Sequence, residues 1–126
     1  MPPTIMIVDD DEQILLLVEI LLRRQGYQVQ KVSNPATAID LINTTPPDLF
    51  VLDYMMPGMN GIELLQHIRL HPNVQNAPVI MLSAVNSEEF TRESFEAGAN
   101  ANIPKSEMHR RLLKEVREFL ASAPSR

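Results

Sequence analysis

Hydrophobic residues in this chain fall into two alternating patterns. Ile5-Met6-Ile7-Val8, Leu49-Phe50-Val51-Leu52 and Val79-Ile80-Met81-Leu82 are short apolar runs without polar interruption, the mark of strands buried on both faces. Gln28-Val29-Gln30-Lys31-Val32 alternates polar and apolar positions, which predicts a strand nearer the sheet edge. Ala101-Asn102-Ile103-Pro104 predicts a short fifth strand ending on Lys105. Between these runs the apolar period lengthens to that of a helix. The first helix spans about Glu12 to Gln25 and closes at Gly26, the residue type favoured just past a helix end. Ser33-Asn34-Pro35 supplies a cap and a first-turn proline for the second, which carries Ala38, Ile39, Leu41 and Ile42 and stops at Pro46-Pro47. Asn60 caps a third helix with Ile62, Leu64, Leu65 and Ile68 inward, ending near His71-Pro72. Ser87-Glu88-Glu89 opens a fourth that runs to Gly98, and the fifth spans about Glu107 to Ala121 with Leu112, Leu113, Val116, Phe119 and Leu120 at helical spacing.

Five strands alternating with five helices predict an α/β fold, a doubly wound parallel sheet covered on both faces. At 126 residues the chain makes one domain, with 1–121 as the folded unit and 122–126 as a frayed tail. The absence of cysteine excludes disulfides and thiolate metal sites. A formal net charge of -5 argues against sequence-independent nucleic-acid binding by this domain. No apolar run is long enough for a membrane span, and Met1-Pro2-Pro3-Thr4 carries no leader pattern, so a cytoplasmic location is expected.

The candidate chemistry stands at the strand ends. The first strand runs into Asp9, Asp10 and Asp11, the third ends on Asp53, the fourth on Ser83, and the fifth on Lys105. In a parallel sheet these ends share one edge, where ligands bind. Clustered carboxylates repel unless cations compensate them, and an all-oxygen set suits Mg²⁺. A carboxylate at such a place can act as a nucleophile towards phosphorus; the metal and Lys105 would then stabilise phosphoryl charge, and Ser83 adds a hydroxyl donor. Singly, each residue has a plainer job. Asp9 and Asp10 would cap the first helix, as Asp11 is expected to do; Ser83 and Asp53 would start turns; Lys105 would be one of eleven cations. Their joint placement at four strand ends favours the chemical reading.

Ile5-Met6-Ile7-Val8-Asp9-Asp10-Asp11, Leu52-Asp53-Tyr54-Met55-Met56-Pro57-Gly58-Met59-Asn60-Gly61, Met81-Leu82-Ser83-Ala84 and Ala97-Gly98-Ala99 followed by Lys105 together resemble the receiver domain of two-component response regulators, over essentially the whole chain. The resemblance implies the flavodoxin-like strand order 2-1-3-4-5. It also implies that Asp53 accepts a phosphoryl group from a histidine kinase phosphohistidine. Asp9, Asp10, Asp53 and the backbone carbonyl of Met55 would hold Mg²⁺, and Ser83 and Lys105 would contact phosphoryl oxygens. The domain is then a signalling module that assists its own phosphorylation and dephosphorylation rather than an enzyme. Its partners would be a sensor histidine kinase or phosphotransfer protein, a downstream effector protein or fused output domain, and a second copy if it dimerises. On phosphorylation Ser83 would move, rearranging the surface around the fourth helix and fifth strand.

Three positions depart from the family pattern. The aromatic residue expected three before the lysine is Asn102. The lysine is followed by Ser106 rather than proline, which predicts a trans Lys105–Ser106 bond or a strained cis one, and offers Ser106 as a cap for the last helix. Met55 and Val85, two beyond Asp53 and two beyond Ser83, are apolar and unable to orient a water, so loss of the phosphoryl group should take hours rather than seconds. In the first helix, Leu17, Val18 and Leu21 are expected to form the core face, with Ile14 and Leu22 at its borders. Leu15, Leu16 and Ile20 would then face solvent as a docking surface.

Two rival classes fit less of the chain. A haloacid-dehalogenase-like phosphohydrolase would use Asp9 as nucleophile and Asp11 as acid, but leaves Asp53 and its Pro-Gly turn unexplained. A phosphorylation-independent adaptor module would need none of the acidic, hydroxyl and lysine set.

Overall fold

The computed structural model describes residues 2–84 and 87–122. In chain order it runs β1 (Thr4–Val8), α1 (Glu12–Arg23), β2 (Gln28–Val32), α2 (Pro35–Thr44), β3 (Leu49–Asp53), α3 (Gly61–Leu70), β4 (Val79–Ser83), α4 (Glu88–Glu96), β5 (Ala101–Pro104), a 3-10 turn (Lys105–Glu107) and α5 (Met108–Ser122). All neighbouring strands are parallel, in the order β2-β1-β3-β4-β5. The alternating strand β2 lies at one edge, where only part of each face is covered.

Side-chain alternation splits each apolar run between two cores. Met6, Val8, Phe50, Leu52, Val79 and Met81 pack with Ala38, Ile42, Leu64, Leu65 and Ile68 on the α2/α3 side. Ile5, Ile7, Leu49, Val51, Ile80 and Leu82 pack with Leu15, Val18, Leu22, Leu112 and Val116 on the α1/α5 side. This is why the runs 5–8, 49–52 and 79–82 show no polar positions. Burying one such Leu or Ile side chain is worth roughly 1.5–3 kcal/mol.

The helix starts follow local capping chemistry. Asp11 Oδ1 accepts from the Gln13 and Ile14 amides, Asn34 Oδ1 from Thr37, and Ser87 Oγ from Phe90. Asn60 and Glu63 form a reciprocal capping box at α3. Gly26, three residues past α1, has φ 90, a conformation that costs an L side chain energy.

Two expectations are corrected. The buried face of α1 is Leu15, Val18 and Leu22, whereas Leu17 is 43% exposed together with Leu16 and Ile20. Leu21 is only half-buried. A stripe of six apolar residues from Ile14 to Ile20, broken only by Glu19, fits two helical registers. The i, i+3, i+7 set that meets both β1 and α5 wins. Ser106 caps nothing: it lies inside the 3-10 turn, which makes no side-chain cap, and α5 starts two residues later. No cis peptide bond occurs among the described residues, so Lys105–Ser106 is trans.

The far end of the sheet is tied by Arg69. Its guanidinium donates to the carbonyls of Gly98 (2.7 and 3.1 Å), Ala77 (2.7 Å) and Gln75 (3.1 Å) and to Asn100 Oδ1 (3.0 Å). This joins the end of α3 to the segment between α4 and β5. Burial among these neutral acceptors lowers the guanidinium pKa.

Candidate functional site

Parallel register places the strand ends together. Val8 pairs with Leu52, Asp53 with Leu82, and Ser83 with Pro104, so Asp9, Asp53, Ser83 and Lys105 emerge along one edge. Asp9 is 1% exposed, Asp53 4% and Ser83 2%, while Asp10 is exposed at the rim. Such burial of carboxylates demands compensation.

Lys105 supplies part of it. Its Nζ lies 3.1 Å from Asp9 Oδ2 and 3.1 Å from Asp53 Oδ1. Asp9 Oδ1 accepts from the Asp11 amide at 2.9 Å, which fixes the carboxylate plane. Burial raises the Asp53 pKa to about 6; repulsion from Asp9 adds to this and Lys105 opposes it. Burial acts to lower the Lys105 pKa, but Asp9 and Asp53 outweigh it and the net movement is upward. Lys105 is therefore held as a cation against two buried acids.

The donor set has the charge and the geometry for a divalent cation. Carboxylate oxygens of Asp9, Asp10 and Asp53 lie within 4.8 Å of one another. Three carboxylates against one ammonium leave two negative charges, matching a divalent ion. Despite its proximity to Lys105, the buried Asp9 Oδ2 lacks a hydrogen bond of adequate geometry, and so retains acceptor capacity. Oxygen-only donors at a mouth open to water suit Mg²⁺. The residues fit the ion. Met55 is 63% exposed beside the cluster. An open cleft of about 560 Å³ adjoins it, lined in part by Asp10, Tyr54, Met55, Gly58, Asn60 and Glu63.

Of the residues picked out in the sequence, Asp9, Asp10 and Asp53 are thus clustered, and Lys105 pairs with Asp9 and Asp53. Ser83 ends the neighbouring strand, and Met55 sits two residues past Asp53 on the rim. Val85 lies outside the described residues. Asp11 is committed to the α1 cap, and as an exposed N-cap it stands apart from the pair held by Lys105.

Gly61 was legible only as part of a Pro-Gly turn, yet it shapes the site. A side-chain carbon at this position would collide with the carbonyl oxygen of Asp53 and lie 2.8 Å from Met81 Cε. The Gly61 amide donates to the Tyr54 carbonyl at 2.9 Å. The turn after β3 thus returns directly onto Asp53, and only glycine permits that approach. No pattern of apolar spacing carries this information.

The family model described as response regulator receiver domain matches residues 5–117. The chain is 33% identical over 117 residues to the phosphate regulon transcriptional regulatory protein PhoB of Pseudomonas aeruginosa, covering 93% of this chain and 51% of that protein. It is 34% identical over 101 residues to sporulation initiation phosphotransferase F of Bacillus subtilis, covering 80% of each. The chain spans about half the length of the PhoB relatives it matches. Among solved structures, a CheY-like response regulator receiver domain protein from Methanospirillum hungatei superimposes with a TM-score of 0.87 at 32% identity, covering 96% of this chain and 95% of that one.

Proposed function

As this chain belongs to the response regulator receiver domain family of two-component systems, we propose that Asp53 is its phosphoacceptor. A single observation carries this: Asp53 is buried at a strand end, 3.1 Å from the Lys105 ammonium and clustered with Asp9 and Asp10. In the reaction an Asp53 carboxylate oxygen attacks the phosphorus of a phosphohistidine on a kinase or phosphotransfer protein. The P–O bond forms, the P–N bond breaks, and the imidazole leaves as a neutral ring after taking a proton.

Asp9, Asp10, Asp53 and the Met55 carbonyl would hold Mg²⁺. When bound, that ion supplies charge neutralisation for the transferring oxygens. Lys105 keeps its proton and pairs with a phosphoryl oxygen, leaving the contact with Asp53 that it makes at rest. Asp9 orients Lys105, and its own carboxylate is held by the Asp11 amide. Ser83, buried at the end of β4, offers a hydroxyl to another phosphoryl oxygen. The new charge-assisted contacts favour a rearranged surface around α4 and β5.

Output runs through a downstream effector protein or a fused output domain; relatives of about twice this length and of about this length are both similar to the chain. No helix among the described residues is long and apolar enough to cross a membrane. The family relationship and the committed Asp11 carboxylate disfavour the phosphohydrolase reading. The test is incorporation of label from a small acyl phosphate donor. Incorporation dependent on Mg²⁺ and abolished by Asp53→Asn is expected; incorporation unaffected by either change would contradict it.

A further inference from the structure

Helix α4 is lightly attached. Of its nine residues only Phe90 and Ser94 are buried. Ser94 Oγ turns back onto the Phe90 carbonyl at 3.0 Å and contributes no tie to the sheet. The C-terminal end is followed directly by the Gly98 carbonyl that Arg69 clamps. The opposite end starts at Ser87, four residues after Ser83. Any displacement of α4 therefore hinges at its C-terminal end and is largest near Ser87.

Among the described residues, two side-chain contacts tie the N-terminal half of α4 to its neighbours. The Phe90 ring lies against Tyr54, the residue after Asp53, with centroids 4.2 Å apart and planes at 50°. The second contact is polar. Asn102 Nδ2 donates to Thr91 Oγ1 at 3.2 Å, and Thr91 Oγ1 donates to the Ser87 carbonyl at 2.9 Å. A hydroxyl has one proton to give, so this chain has a direction: amide to hydroxyl to carbonyl. It links β5 to the start of α4 through a position where a ring would otherwise stand.

We infer that Asn102 and Thr91 form a latch that fastens α4 to β5 in the resting state and releases when Asp53 is modified. This rests on the phosphoacceptor reading of Asp53. Tyr54, directly after Asp53, packs on Phe90, so a change at Asp53 reaches the neighbouring Thr91, whose hydroxyl is held on the Ser87 carbonyl. The Thr91–Asn102 bond, spanning two elements, is the one that parts. The latch then stabilises only the resting arrangement, so its removal raises the fraction of chains already in the shifted one. Asn102 and Thr91 act through α4 and are positioning residues.

The test is the affinity of the intact chain for beryllium fluoride in the presence of Mg²⁺, followed by titration. Thr91→Val is isosteric and Asn102→Ala affects a half-buried position, so both should fold. Loss of one ordinary hydrogen bond predicts about fivefold tighter binding of beryllium fluoride in either variant. The double variant should gain no more than either single one, and Thr91→Ser should restore the unmodified affinity. Unchanged or weaker binding in Thr91→Val and Asn102→Ala, or additive effects in the double variant, would overturn the latch while leaving Asp53 as acceptor. Failure of the unmodified chain to bind beryllium fluoride would overturn the acceptor reading and the latch with it.

Discussion

Lys105 Nζ and Asp53 Oδ1 lie 3.1 Å apart, and the same ammonium sits 3.1 Å from Asp9. One cation thus serves two buried acids, and burial with the Asp9 charge still leaves Asp53 harder to ionise than an exposed aspartate. The charge at Asp53 is held against the stability of the fold.

Asp53→Asn should therefore stabilise the metal-free protein at neutral pH. The folded-state pKa is raised from 3.8 to about 6. The contribution of Asp53 to stability is fully present below the lower value and is lost as pH rises through the upper one. Urea unfolding with a chelator should show the variant more stable by roughly 1–2 kcal/mol at pH 7, after allowance for the open mouth of the site. The gain should vanish as pH falls towards 3.8. A gain that persists or grows in acid would contradict this.

Gly61→Ala should damage the site more than the fold. The added methyl meets the Asp53 carbonyl, so either the turn after β3 or the end of β3 must shift. Misplacement on the scale of 1 Å costs on the order of 100-fold in rate. Labelling by a small phosphodonor should fall by about that factor while the circular dichroism spectrum is retained. Labelling within twofold of the unmodified rate would show that the close approach is not needed.

The strand pattern and the four polar strand ends were legible because the apolar runs of β1, β3 and β4 are buried on both faces and the ends of β1, β3, β4 and β5 carry Asp9, Asp53, Ser83 and Lys105. The α1 face was not. Leu15, Leu16, Leu17 and Val18 are consecutive apolar residues, and only contact with β1 and α5 selects Leu15, Val18 and Leu22. Gly61 and the Thr91–Asn102 bond were also out of reach, since both depend on distances between elements. Ser106 suited a cap by type, but the turn at Lys105 begins too early for it to serve.

The exposed side of α1 carries Leu16 at 53%, Leu17 at 43% and Ile20 at 40% exposure, and we propose it as a docking surface. Replacing Leu16 and Ile20 by Gln should slow phosphotransfer from a phosphorylated histidine partner at least tenfold. Labelling by a small donor, which needs no docking, should be unchanged. Equal transfer rates from the protein donor would refute the surface.

Loss of the phosphoryl group should be slow. Met55 is apolar and directed to solvent at the rim, and it offers no side-chain group to hold a water in line. The phosphorylated protein, freed of donor, should decay over hours; decay in seconds would contradict this.

The central claim is that Asp53, and not Asp9, carries the phosphoryl group. Borohydride reduction of the labelled protein converts an aspartyl phosphate to homoserine, and peptide sequencing by mass spectrometry locates it. Homoserine at position 53, formed only when Mg²⁺ was present during labelling, is the predicted result. Homoserine at position 9, or labelled protein with none at 53, would contradict it.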